Sequence, residues 1–480
     1  MNQPHIVMVV PNAIEHDARV RREALSAQAA GFRVTLLWAN LGGPKQPVEG
    51  DIGGVVKTLG VPLNYVLRNR QVVRRAALAG WFPTWRYWER DAFNAAAQAA
   101  QVRKARAAAG GTVGLAVNKG AQLVFKVRSH FYRGHQAKAT QAGQAKPYRW
   151  PVNWRRYLAA VRDMDAAFTG TIAALEPDLI HCNDIYSLNA GFSAQAVLRR
   201  RGRHVPVVYD AHEFVAAYDR LAPKLKAAYV AMEKDLAPKA AGVVTVSEPI
   251  ADAMQRDLHL AARPVVVHNA PPLGGGDPSQ TTLRQVTGLA PDVPLLVYSG
   301  VIQPQRNVEG AIKALPLLPG VHLAVICVPS PQVPLAQGLA RLAEAEGVAD
   351  RVHLVDPVPP TQIAAYIADA TLGIDPMDTH FPQHQVALPN KLFDYLHAGL
   401  PVALSSNQAE KQFAEEYGVG TVFDPDDPAD IARAVQAALD RHDELVRHIA
   451  ESGVVQQFSW DGQVKGLLGL YRDLLGSEAK

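Results

Sequence analysis

The stretch LPNKLFDYLHAGLP, residues 388–401, carries the helix signals and the charge pattern on which the reading of this chain turns. Asn390 is a candidate N-cap, its amide oxygen taking one orphan N–H of the first turn. The amides of Lys391 and Leu392 are then left to face an anion together with the Lys391 ammonium. Gly399 supplies a left-handed stop and Pro401 blocks continuation. Asp394 stands one turn further along, on the face of Lys391. A carboxylate there accepts hydrogen bonds from paired hydroxyls, such as those of a ribose whose diphosphate sits at the helix start. On the local pattern alone, an ordinary capped helix answers equally well.

Outward from this segment, short β-branched runs alternate with Ala- and Leu-rich helical stretches, the pattern of parallel sheets wrapped by helices. Strands are expected at residues 5–10, 33–38, 178–182, 206–209, 242–246 and 264–267. After a Pro/Gly-rich break at 271–278 they resume at 295–298, 321–327, 352–355, 372–374 and 402–404. The fold class is therefore α/β, with two doubly wound domains in tandem whose ligands collect at the carboxyl ends of strands. A chain of 480 residues suits two domains. With 48% hydrophobic and 20% charged residues it has the composition of a folded globular protein. No apolar run is long enough to cross a bilayer and no signal peptide is visible, so the protein is expected in the cytoplasm. Cys182 and Cys327 read as buried thiols, and metal-binding spacings are absent.

One region departs from the alternation. Between Lys57 and Arg162, 20 Lys or Arg stand against only Glu89 and Asp91, a net of +18, whereas the whole chain is +4. Aromatic residues are interleaved with the charge, among them Trp81, Trp85, Trp88, Tyr148, Trp150 and Trp154. Three readings fit: a peripheral surface for anionic lipid headgroups, a solvated helical insertion, or a pocket for an anionic acceptor. Nucleic acid is disfavoured because no recognition fold accompanies the charge.

Several segments, in order, resemble the retaining glycosyltransferases of family 4: HIVMVV, PDLIHCND, VVYDAHEF, AGVVTVSEPIADAM, PVVVHNAP, LVYSGVIQPQRNVEGAIKAL and LPNKLFDYLHAGLPV. The resemblance implies the GT-B fold, two Rossmann-like domains facing a cleft. It implies an acceptor domain over 1–272 with the basic insertion at about 60–160, and a nucleotide-sugar domain over 280–455. A C-terminal helix within 456–480 would cross back to the first domain. It further implies that Asp394 binds the ribose hydroxyls and that Lys391 and Arg306 neutralise the diphosphate, with Gly300, Pro389, Asn390 and Leu392 lining the donor. His212, in DAHE, would face the donor sugar, Glu213 and Asp184 being weaker candidates on neighbouring loops. Asp17 reads as a cap of the first helix. No metal or other cofactor is implied.

The sequence also departs from the family. Val386 stands where many members have an acidic contact to the donor sugar, leaving Asp378, His380 or His384 as substitutes. Val301 replaces a common arginine, and the chain reads VICVPS where a strand-ending glycine is usual. The implied activity is transfer of a sugar from a uridine or guanosine diphosphate donor to an acceptor hydroxyl with retained configuration. The acceptor would be a glycan or lipid-linked sugar of a surface polysaccharide or glycolipid, reached from the inner face of the membrane. A nucleotide-sugar epimerase of the same fold and a non-catalytic partner subunit are the rival readings.

Overall fold

The computed structural model describes residues 3–14, 17–41, 46–63, 148–218, 221–274, 278–279 and 281–476. Most of the basic insertion, with Trp81, Trp85 and Trp88, lies outside them.

The first sheet contains β1 (His5–Val10), β2 (Arg33–Asn40), β3 (Val48–Ile52), β4 (Val56–Pro62), β5 (Leu179–Asn183), β6 (Val207–Ala211), β7 (Gly242–Thr245) and β8 (Val265–Val266). The second contains β9 (Leu295–Val301), β10 (His322–Val328), β11 (Val352–Val355), β12 (Leu372–Asp375), β13 (Val402–Ser405) and β14 (Gly420–Phe423). Their orders are β3-β4-β2-β1-β5-β6-β7-β8 and β11-β10-β9-β12-β13-β14. All neighbours run parallel except the β3–β4 pair at one edge. The second order, and the first without its outer strands, is the Rossmann order, in which the chain reverses direction beside the first strand of each sheet. That places the expected binding crevices at the ends of β1 and β5 and of β9 and β12.

Burial explains the strands. Every residue of β1, β5 and β6 is buried, as sheets covered by helices on both faces require. Apolar cores lie on both faces of each sheet. Three strands are absent from the sequence-based expectation. In β3, VEGDI, only Ile52 is buried, β4 is split by Gly60, and β14 is a four-residue edge strand. Their patterns are too short or too polar to stand out.

The helix Trp460–Leu475 buries Trp460, Val464, Leu467 and Tyr471, one stripe at helical spacing, in the core beneath β1 and the helix Ala18–Ala29. Ser459 caps it and Gly476 ends it. The two chain crossings between the sheets are tied together. The Trp460 amide donates to the Pro271 carbonyl (2.7 Å), the Trp460 indole to Ser26 Oγ (2.9 Å) and the Leu273 amide to Asp461 (2.8 Å). Arg22 lies over the Trp460 ring, 5.0 Å from its centre, and donates to Asn269 Oδ1.

Gly373 on β12 sets the seat of the helix Asn390–His397. A Cβ at this position would come within 2.4 Å of the Tyr395 ring. The Tyr395 hydroxyl accepts from the Ser299 amide (3.1 Å) and donates to the Ile374 carbonyl (3.2 Å). Gly373→Ala is expected to lower unfolding free energy by about 1–3 kcal/mol, as overpacked cores do. Urea denaturation checks this, and an unchanged midpoint would show that Tyr395 does not anchor the helix.

Candidate active site

At the carboxyl end of the second sheet, the helix Asn390–His397 starts beside the ends of β9 and β12. Two local expectations are corrected here. Pro389, extended at φ −73 and ψ 140, occupies the N-cap, and Asn390 is the first helical residue, exposed and making no side-chain cap. Proline fixes the backbone at the turn, so a polar cap is not needed to start the helix. The Leu392 amide is also not free, because it donates to the Pro389 carbonyl at 3.1 Å. Gly399, at φ +75 just past the helix end, is the left-handed stop.

Lys391 points inward. Its Nζ lies 2.9 Å from Asp375 Oδ1 at the end of β12 and 3.9 Å from the centre of the Tyr298 ring on β9. Burial opposes the charge, but Asp375 and Tyr298 outweigh it and raise the lysine pKa. Gly300, at φ +147, is the penultimate residue of β9 and leaves the backbone open at this spot. A Cβ there would fall 3.7 Å from Lys391 Cε and 3.5 Å from the Tyr298 hydroxyl. Arg306 follows on the short turn Pro304–Arg306, its Nη1 2.9 Å from Met377 Sδ, near enough for its charge to act on both Lys391 and Tyr298. The fold thus gathers Gly300, Arg306 and Lys391 at one switch point.

Asp394 faces another way. Burial pushes its carboxyl up to about 7 against the pull of Arg22 from the first domain. Val386 packs on the core of the first domain, and its carbonyl accepts from Ser247 Oγ at 2.6 Å. The position that lacks an acidic residue therefore serves as a contact between the domains. Asp378 accepts from the backbone and ring of His380 (2.6 and 2.7 Å), and its amide donates to the Gln305 carbonyl (3.0 Å), next to Arg306. His384 Nδ1 lies 2.8 Å from the Asp378 carbonyl. Val301 is exposed.

In the first domain, His212 follows β6 directly. Its Nε2 lies 3.4 Å from Asp210 Oδ2 and its Nδ1 3.7 Å from Asp184 Oδ2. Burial alone would lower its pKa, but the two carboxylates prevail and raise it to about 10. At neutral pH His212 is an imidazolium that donates hydrogen bonds and cannot accept a proton. Asp184 opens the helix Asp184–Arg200 at φ +63, an uncommon conformation for a side-chain-bearing residue and one that recurs at functional turns. Glu213 is exposed, and Asp17 caps the first helix by accepting from the Val20 amide at 3.1 Å.

Beneath His212 lies a buried network not anticipated from sequence. Arg19 binds Asp210 and Glu23, both at 2.9 Å, and His181 Nδ1 meets the Tyr471 hydroxyl at 2.9 Å. Asp210 is held well below the usual carboxylate range because Arg19 and His212 overcome its burial, whereas burial beside Asp210 pushes Glu23 well up. Glu23, His181 and Asp210 present ligand atoms within 4.8 Å of one another. Arg19 already supplies the cation these carboxylates need, so the cluster reads as an internal ion network. Its one visible signal was the carboxylate two residues before His212. For Lys391 the missed partner was the acid ending LGID, residues 372–375.

The raised Asp394 pKa makes a stability prediction. Below about pH 4 the carboxyl is protonated whether folded or unfolded. Between about 4 and 7 only the folded state keeps the proton, so this stabilisation is lost as pH rises through 7. Relative to Asp394→Asn, the wild type should lose on the order of 2 kcal/mol between pH 4 and pH 8, after discounting for partial exposure. Denaturation of both proteins across that range checks this, and a constant difference would contradict it.

Comparison with known proteins places this geometry. The family described as glycosyl transferases group 1 matches residues 279–454, and the glycosyl transferase 4-like domain matches 95–270. The D-inositol 3-phosphate glycosyltransferase of Mycolicibacterium smegmatis is 29% identical over 311 residues, covering 61% of this chain and 67% of that one. That of Acidothermus cellulolyticus is 29% identical over 203 residues, and the match spans 40% of this chain and only 44% of the relative. Among solved structures, the sucrose-phosphate synthase of Thermosynechococcus elongatus superposes with a TM-score of 0.63 at 16% identity, covering 99% of this chain and all of the other. The E. coli structure described as trehalose-6-phosphate bound with UDP-2-fluoro glucose gives 0.59 at 12% identity and 99% coverage of both chains. The two Rossmann-ordered sheets, with a helix start at the second switch point, and the two family matches in tandem make this chain a GT-B glycosyltransferase built of a glycosyl transferase 4-like domain over 95–270 and a glycosyl transferases group 1 domain over 279–454.

Proposed function

We propose that this protein transfers a sugar from a nucleoside diphosphate donor to an acceptor hydroxyl with retained anomeric configuration and without a metal. The observation that carries this reading is the convergence of Lys391 and Arg306 beside Gly300, two cations at the switch point of the second sheet. As the bond from sugar to diphosphate breaks, negative charge grows on the departing oxygen, and cations fixed there stabilise it. The Asp375 contact keeps Lys391 charged and in place before the donor arrives. Because His212 is protonated at neutral pH, it serves as a hydrogen-bond donor to a sugar hydroxyl. The acceptor proton then passes to the departing diphosphate oxygen, and closure of the domains excludes water.

Asp394 is assigned to the ribose hydroxyls, with Pro389, Asn390 and Leu392 around the donor. The names of the relatives support a sugar-type acceptor. The UDP-sugar in the E. coli structure and the UDP and glucose bound by the Anabaena protein HepE favour a uridine donor. A surface glycan or glycolipid acceptor fits the +18 region. At its described end Trp150 is 75% exposed beside Arg149, and Arg155 and Arg156 are exposed as well. No helix among the described residues is long and apolar enough to cross a membrane, so this surface is assigned to peripheral contact with anionic lipid at the cytoplasmic face.

Two measurements test the reading. With UDP- and GDP-sugars, Lys391→Gln and Arg306→Gln should each lower kcat for transfer or slow donor hydrolysis by roughly 100-fold or more. Unchanged turnover in both would remove the site assignment. In flotation at low salt, vesicles containing phosphatidylserine should carry more protein than neutral vesicles. Equal recovery would contradict the membrane contact.

A further inference from the structure

A cavity lined by none of the residues assigned to the donor opens where the two domains meet. Its volume is about 230 Å³, below the ~300–1,000 Å³ of pockets for drug-sized ligands, so it suits a small molecule. One wall is aromatic. The rings of Phe413, Tyr417 and Phe458 pack on one another with centres 4.8 to 4.9 Å apart. Glu248, from the first domain, and Glu416, from the second, add carboxylates to the lining. Arg263 binds Glu248 at 2.5 Å but also binds Asp252 at 2.8 Å, so these groups leave a net negative charge on that side.

His268 completes the lining and is only 4% exposed. Its backbone N–H and its Nδ1 both meet Gln463 Oε1, at 3.0 and 2.9 Å. The Gln463 Nε2 donates to the Gln457 carbonyl at 2.7 Å, which fixes the amide with its oxygen toward His268. Nδ1 therefore carries the proton, and Nε2 keeps a lone pair with no hydrogen-bond partner among the described residues. That lone pair is available to accept from an N–H donor of a ligand.

We propose that this cavity between the domains is a binding site for a small organic ammonium ion. The charged nitrogen would donate to His268 Nε2 and sit near Glu248 and Glu416, while its apolar part rests on Phe413, Tyr417 and Phe458. Cations are drawn to aromatic faces as well as to carboxylates, so the ring wall and the acidic side favour the same ligand. Its lining comes from both domains and from the crossing segment, so an occupant binds this domain arrangement in preference to one with the domains apart. The site therefore couples a soluble amine to domain closure.

The probe is phenethylammonium, with 2-phenylethanol as its neutral counterpart, in titration calorimetry and thermal unfolding of the full chain. Phenethylammonium should bind and raise Tm while 2-phenylethanol does neither at equal concentration. The pair Glu248→Gln and Glu416→Gln, both surface positions, should weaken binding roughly tenfold. His268→Phe, which keeps the ring packing, should also weaken it. Equal binding of the two probes, or unchanged binding in the glutamine pair, would overturn the proposal. A parallel UDP titration separates the two readings: loss of UDP binding alone counts against the donor site, and loss of amine binding alone against this one.

Discussion

The buried pair between Lys391 and Asp375 is the constraint on which the second domain's site depends. The ammonium of a lysine side chain only 9% exposed is tolerated only with a partner, and the partner is the last residue of the strand at the switch point. Tyr298 lies beneath the charge, Gly300 leaves room above the lysine stem, and Tyr395 ties the same helix to β9 and β12. The start of the helix Asn390–His397 is thereby locked to the two strand ends between which an α/β sheet binds its ligand. Arg306 then adds a second positive charge to a place already organised around the first.

The first domain solves the same problem with the opposite sign. There the carboxylate Asp210 is buried, and Arg19 and His212 approach it from two sides. The consequence is a histidine held in its charged form on the cleft side of β6, a donor whose protonation does not change near neutral pH. The network continues through His181 to Tyr471 on the C-terminal helix, so the His212 environment is tied to the segment that returns from the second domain. With Ser247 bonded to Val386, and Arg22 set against Trp460 and near Asp394, several elements that shape the cleft also fix the domain arrangement.

Much of the fold was legible because its dominant signal is local. Buried parallel strands read as short β-branched runs, and eleven of them stand in sequence close to where they stand in the structure. Gly300, Arg306 and Lys391 were assigned to the donor through the family resemblance, and the fold brings these three residues together near one strand end and a helix start. What could not be read was orientation. Lys391 and Asp394 are three residues apart on one helix, yet one turns into the sheet toward Asp375 and the other toward Arg22, a choice made by tertiary partners far away in sequence. Asn390 failed as a cap because Pro389 already sets the turn. Of the Arg19, Glu23, His181 and Asp210 network only Asp210, two residues before His212, gave a sequence signal, because its members lie up to 191 residues apart.

The most direct measurement is calorimetric titration with UDP, UMP and uridine, and with the guanosine series, on the wild type and on the double variant Lys391→Gln, Arg306→Gln. Two charge-assisted contacts to the diphosphate predict that one diphosphate binds the wild type roughly 100-fold more tightly than its nucleoside, and that this advantage disappears in the double variant. A diphosphate advantage that survives loss of both cations would contradict the assignment of this helix start as the donor's anchor.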